Sequence, residues 1–194
     1  MKFSRIKIFL AVAVASLALS SVVMAADGGS LVISEVAWAG TRASWADEWI
    51  ELRNRGEEDI DLTGWSVVWD DSVLHLGSEE ENTVQVINEF VPPGGVILLE
   101  RTDDETVSTV NADLIFKGSL PNSGTKLELV GPDGEVVQTI DARDGWPAGT
   151  ASDGDPSYAS MELIEGQWVT SDQPGREKDK NGERIYGTPG GPVG

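Results

Sequence analysis

The run Asp47-Glu-Trp-Ile-Glu-Leu-Arg-Asn54, continued by Asp59-Ile-Asp-Leu-Thr-Gly-Trp65, sets the architecture of the chain. Ile50 and Leu52 share one face of an extended backbone, while Trp49, Glu51 and Arg53 share the other. That period of two is the mark of a β-strand. The charged turn Arg55-Gly-Glu-Glu58 leads to a second strand beginning at Asp59. Asn54 closes the first strand with a side chain suited to bond the backbone two residues on. Gly64 permits a bulge or a close backbone approach that aims Trp65 inward.

Working outward, 31–38 reads as a strand, with Leu31, Ile33 and Glu35 on one face and Val32, Val36 and Trp38 nearer the other. On the other side, Trp65, Val67 and Trp69 alternate with Ser66, Val68 and Asp70. Further strands are expected at 83–87, 95–100, 112–116, 125–130, 135–141, 158–164 and 167–170, with a short final one at 184–186. Turn chemistry falls between them at Val91-Pro-Pro-Gly-Gly, Pro121-Asn-Ser-Gly and Gly131-Pro-Asp-Gly, the last placed as a tight hairpin requires. Many short strands separated by such turns define an all-β two-layer sandwich or barrel. Most of the seven tryptophans are expected in its core, since each buried indole removes roughly 200 Å² from water. Trp38 and Trp45, flanking Ala-Gly-Thr-Arg-Ala-Ser, are expected as contact residues at one rim.

The first residues predict export. Lys2, Arg5 and Lys7 precede an apolar stretch over 8–23, and Val23-Met24-Ala25 supplies the small residues a signal peptidase reads. Cleavage after Ala25 is expected, with Ala26 the next best site, leaving one domain over residues 26–194 and a core of about 31–190. The apolar stretch is marginal against the ~20 residues that span a bilayer. With the three leading basic residues removed, eleven Lys+Arg stand against thirty-three Asp+Glu, a net charge of −22. Such a chain repels phosphate backbones and anionic headgroups, so neither nucleic acid nor membrane is an expected partner. Cations, basic protein surfaces and neutral glycans are favoured, at the cell surface, in the periplasm or outside. The chain has no cysteine, which excludes a cysteine-borne lipid, thiolate zinc sites and a cysteine nucleophile.

Five or six segments in order resemble the lamin tail domain in its bacterial secreted form. They are Leu31-Val-Ile-Ser-Glu-Val, the two runs quoted first, Leu120-Pro-Asn-Ser-Gly-Thr-Lys-Leu-Glu-Leu, Gly131-Pro-Asp-Gly-Glu-Val-Val, Tyr158-Ala-Ser-Met-Glu, Gln167-Trp and Gly187-Thr-Pro-Gly-Gly. Two departures are Leu163, where the family usually carries a basic residue, and the ending Pro-Val-Gly in place of an Asn after Thr-Pro-Gly. The resemblance implies an immunoglobulin-like β-sandwich without enzymatic activity of its own. In lamins that domain is an interaction surface following a coiled coil, whereas this chain has no heptad run. In bacterial proteins it often accompanies secreted or membrane-bound hydrolases and nucleases.

Residues able to carry chemistry are few, and no catalytic, cofactor-binding or metal-binding set is assigned. His75 is the single histidine and cannot alone build a multi-histidine zinc site. The runs Glu79-Glu80-Glu81 and Asp103-Asp104-Glu105 read as solvated loops. Asp141, Asp144, Asp153 and Asp155, and separately Asp179-Lys-Asn-Gly-Glu183, are oxygen-rich turns whose hard donors suit calcium but lack EF-hand spacing. Three classes follow. The first is a non-catalytic exported module contacting partners through loops 38–45, 76–82 and 145–158. The second is a calcium-stabilised adhesion domain, and the third is a carboxylate hydrolase needing two facing acids in a cleft.

Overall fold

The computed structural model describes residues 30–77 and 90–191. The expected leader over 1–25, the strand at 83–87 and the Glu79–81 run lie outside the described residues. Twelve strands and no helix are found among those described. They are β1 (Leu31–Ala37), β2 (Trp49–Asn54), β3 (Ile60–Asp61), β4 (Ser66–Trp69), β5 (Ser72–His75), β6 (Phe90–Val91), β7 (Val96–Arg101), β8 (Leu114–Phe116), β9 (Lys126–Val130), β10 (Val136–Asp141), β11 (Met161–Ile164) and β12 (Gln167–Thr170). A six-stranded sheet runs β12-β11-β1-β2-β7-β8 and a four-stranded sheet runs β10-β9-β4-β5, with β3 and β6 forming a short ribbon. Pairing is antiparallel except between β7 and β8. The result is the immunoglobulin-like two-sheet sandwich.

Alternation along the strands explains why the layers close. Ile50, Leu52, Ile97 and Leu99 of the large sheet meet Val67, Trp69, Leu127, Leu129 and Ile140 of the small one in a single buried cluster. Trp69 stands edge-on to Phe116, their ring centres 5.6 Å apart. Each fully buried aliphatic side chain contributes about 1.5–3 kcal/mol through water exclusion.

β1 departs from the simple alternation. Leu31 and Ile33 enter the core, but so do Val36 and Trp38, while Glu35 lies on the outer face. The register with β2 shifts between Ile33 and Glu35, so a bulge at Ser34 changes which parity points inward. Pairing of β1 with β11 begins only at Glu35, and Gln138 of the opposite sheet satisfies the Ile33 backbone in its place. The Ile33 N–H donates to Gln138 Oε1 at 2.6 Å, and Gln138 Nε2 donates to the Ile33 carbonyl at 3.2 Å.

Other expectations resolve locally. The Gly56 N–H bonds Asn54 Oδ1 at 2.8 Å, the turn anticipated, and Asn54 Nδ2 also reaches the carbonyls of Glu58 and Val91, each at 2.7 Å. Gly64 sits in a turn closed by Trp65 N–H on the Leu62 carbonyl. The segment 184–186 is no strand. It makes only isolated bridges, Lys178 with Arg184 and Ala159 with Tyr186.

Candidate functional site

The outer face of the six-stranded sheet is buried too, by different chemistry. Trp49, Leu98 and Ala37 form a second apolar cluster with Val107 and Ile185, which come from the covering loops. Beside it Glu162, Glu35 and Glu51 lie abreast on β11, β1 and β2, joined by direct cross-strand register. Like charges placed opposite one another destabilise a sheet, so each carboxyl is held by donors. Glu35 accepts from the Ser160 hydroxyl at 2.5 Å and from the Thr188 N–H and hydroxyl, both at 2.9 Å. Glu51 accepts from the Ser34 hydroxyl at 2.8 Å, the Gly190 N–H at 2.9 Å and Arg53 at 3.2 Å. Burial, reinforced by the Glu162 charge, raises the Glu35 carboxyl well above the usual range, and burial raises Glu51 and Glu162 as well. Glu35 and Glu51 hook the segment 188–190 onto the sheet. Nothing in the local pattern marks Glu35 and Glu51 as buried, because the Thr188 and Gly190 groups they hold lie more than a hundred residues away.

At the end of the sandwich where β1 leaves and β2 enters, the connecting loop meets the loop before β11, the segment after β7 and the C-terminal turn. Trp38 is not a contact residue, contrary to expectation. It is buried, its indole N–H donates to the Ala148 carbonyl at 2.9 Å, and its ring stacks on Trp146 at 6.0 Å between centres. A side chain at Gly149 would meet Trp38 Nε1 at 2.6 Å, so only glycine lets this loop lie flat on the indole.

Seven residues on, Trp45 is 68% exposed. The loop that carries it is braced. The Thr41 hydroxyl donates to Asp47 Oδ2 at 2.9 Å and accepts the Ala43 and Ser44 N–H groups. The Thr41 and Asp47 N–H groups both reach the Ser44 carbonyl. Lys180 pins Asp47 Oδ1 at 2.8 Å, and the Arg42 guanidinium lies 4.9 Å from the Tyr186 ring centre. The Arg101 guanidinium lies 5.3 Å from the Trp45 ring centre and pairs with Glu48 at 3.0 Å. Burial pushes the Glu48 carboxyl up to about 7 against the opposing pull of the Leu120 N–H and Arg101. Glu100, buried below and accepting the Thr106 and Val107 N–H groups, is pushed up to about 8 by burial.

The other singled-out residues serve local structure. Asp179 Oδ1 caps its own turn through the Asn181 and Glu183 N–H groups. Asp141 pairs with Arg143 at 2.5 Å, and Asp104 holds the Ala112 N–H at 2.6 Å. His75 stands exposed on β5, opposite Ser66. Asp141, Asp144, Asp153 and Asp155 do not converge, and no group of three or more potential ligands that could hold a metal ion occurs among the described residues. Of the loop over 76–82, the described part is Leu76, which is buried in the core, and Gly77.

The two stacked sheets, with the tail hooked across the larger one, define an immunoglobulin-like domain. Residues 24–144 match the family model of the Lamin Tail Domain, more than half of the chain, and the protein belongs to that family. No curated protein matches it.

Proposed function

We propose that the protein is an exported, non-catalytic interaction module, one sandwich domain over residues 26–194, whose end rim centred on Trp45 docks a basic protein surface. The observation that carries this reading is a large aromatic side chain held 68% exposed by a loop whose backbone and side chains are tied in place. Rigid exposed indoles are favoured interface anchors, because little conformational freedom remains to be lost on binding. At the rim Asp47, Asp103, Asp104 and Glu105 outnumber Arg42, Arg101 and Lys180, so the local balance is negative. With a net charge of −22 after leader removal, the field steers cationic partners toward the protein. The non-catalytic part rests on the use made of the buried acids, since Glu35, Glu48, Glu51 and Glu100 all clamp backbone or hydroxyl groups of covering segments. Export rests on the basic and apolar character of residues 1–25.

Photo-cross-linking tests the rim. A benzoylphenylalanine at position 45 is expected to trap a lysine- or arginine-rich protein in the native host, while the same probe at exposed Val136 traps none. Identical adducts at both positions, or none at 45, contradict the reading.

A further inference from the structure

Basic side chains are scarce in this chain, and most of those described are in use. Seven of the eleven among the described residues engage a carboxylate, carbonyl, hydroxyl or aromatic ring. The other four are Lys117, Arg176, Lys178 and Arg184, so three of the four fall on one turn of the C-terminal segment. The antiparallel bridge sets Lys178 directly opposite Arg184, a like-charge pairing that costs stability when nothing neutral or negative lies between. Arg176 and Arg184 line the same groove of about 480 Å³, walled by Pro174, Gly175, Pro189 and Gly190. Glu177, the one acid lining it, is engaged by the Thr109 hydroxyl.

We infer that this groove is a second binding site, separate from the Trp45 rim, and that it takes the carboxylates of an acidic protein segment. Guanidinium groups fork onto carboxylates through two parallel N–H bonds, and a ligand carboxylate here also relieves the Lys178–Arg184 repulsion. The volume matches a short stretch of side chains rather than a flat face. Proline and glycine backbone forms the walls, against which an extended peptide lies. No aromatic ring lines the groove for a sugar to stack on. The acidity of the whole chain opposes such a ligand, but at physiological ionic strength charges more than about 8 Å away are largely screened. Within 176–184 itself Arg176, Lys178, Lys180 and Arg184 outnumber Glu177, Asp179 and Glu183, which leaves the local balance positive.

The test is fluorescence anisotropy of a labelled hexaglutamate peptide titrated with the protein, beside a trigalacturonate probe. Saturable peptide binding is expected, weakened about tenfold or more by Arg176→Gln with Arg184→Gln and unchanged by Lys117→Gln. Both arginines are exposed, so the variants are expected to keep the wild-type melting temperature. Amide shift changes in an NMR titration are expected at 175–177, 188, 190 and 191. No binding, equal loss in Lys117→Gln, or shift changes confined to other surfaces overturns the site. Tighter binding of trigalacturonate than of the peptide overturns the acidic-protein assignment.

Discussion

Trp38 and Trp45 begin and end the same short segment and have opposite fates. Trp38 is roofed by Trp146, Ala148 and Gly149, while Trp45 stands in solvent over the Arg101 guanidinium. The difference lies in what the rest of the chain brings to each. Only Trp38 has a cover supplied from a distant loop, and the bulge in β1 turns it toward that cover. Around Trp45 the polar groups brace the backbone and leave the ring bare. The contrast identifies one indole as architecture and the other as surface.

The largest effect expected from breaking this contrast is Trp38→Ala. It removes a buried indole, its stack on Trp146 and its bond to Ala148, and is expected to cost about 3–5 kcal/mol in denaturant unfolding. A smaller effect comes from pH. The folded carboxyls of Glu48 and Glu100 titrate near 7 and 8, above the unfolded value of about 4.3, so the native state binds more protons. Their contribution is complete below about pH 4 and is lost as pH rises through 7 and 8. Linkage for the two shifts amounts to about 6 kcal/mol, which screening by solvent so near the rim reduces to an expected fall in unfolding free energy of roughly 2–4 kcal/mol between pH 5 and 8.5. Glu100→Gln is expected to flatten that slope, and an unchanged slope contradicts the assignment. Asp61 and Asp141, whose pKa values are lowered, act at more acid pH and leave this window untouched.

Next is Glu35→Ala, which strands the Thr188 N–H, the Thr188 hydroxyl and the Ser160 hydroxyl. It is expected to cost about 1–3 kcal/mol, and faster amide hydrogen exchange at 187, 188 and 190 shows the tail unhooking. The smallest stability effect is expected from Trp45→Ala, within about 0.5 kcal/mol. A loss like that of Trp38→Ala would erase the distinction between the two indoles.

Much of the fold was legible wherever cause and effect sit close together in the chain. The faces of β2, the turn at Asn54 and the Gly131–Gly134 hairpin follow from neighbouring residues. The bulge in β1 left a readable trace, because apolar residues sit at odd positions 31 and 33 and then at even positions 36 and 38. That change of phase is itself the signal of an inserted residue, and simple alternation overlooks it. β3, β5 and β6 span two to four residues, too few to show a period. The burial of Trp38, Glu35 and Glu51 was hidden because their partners at 146–149 and 188–190 are remote in sequence. The exposure of Trp45 was anticipated from its place beside the Ala-Gly-Thr-Arg-Ala-Ser loop, and the same reading placed Trp38 outside as well, which the structure corrects. Which of the two tryptophans faced outward depended on tertiary cover alone.

The most direct test of the rim as the working surface is calorimetric titration of the cross-linked partner, once purified, with the wild-type protein and with Trp45→Ala. The account predicts affinity reduced by about tenfold or more, near 1.4 kcal/mol, at an unchanged melting temperature. Full affinity in Trp45→Ala would contradict it and place the interaction elsewhere on the molecule.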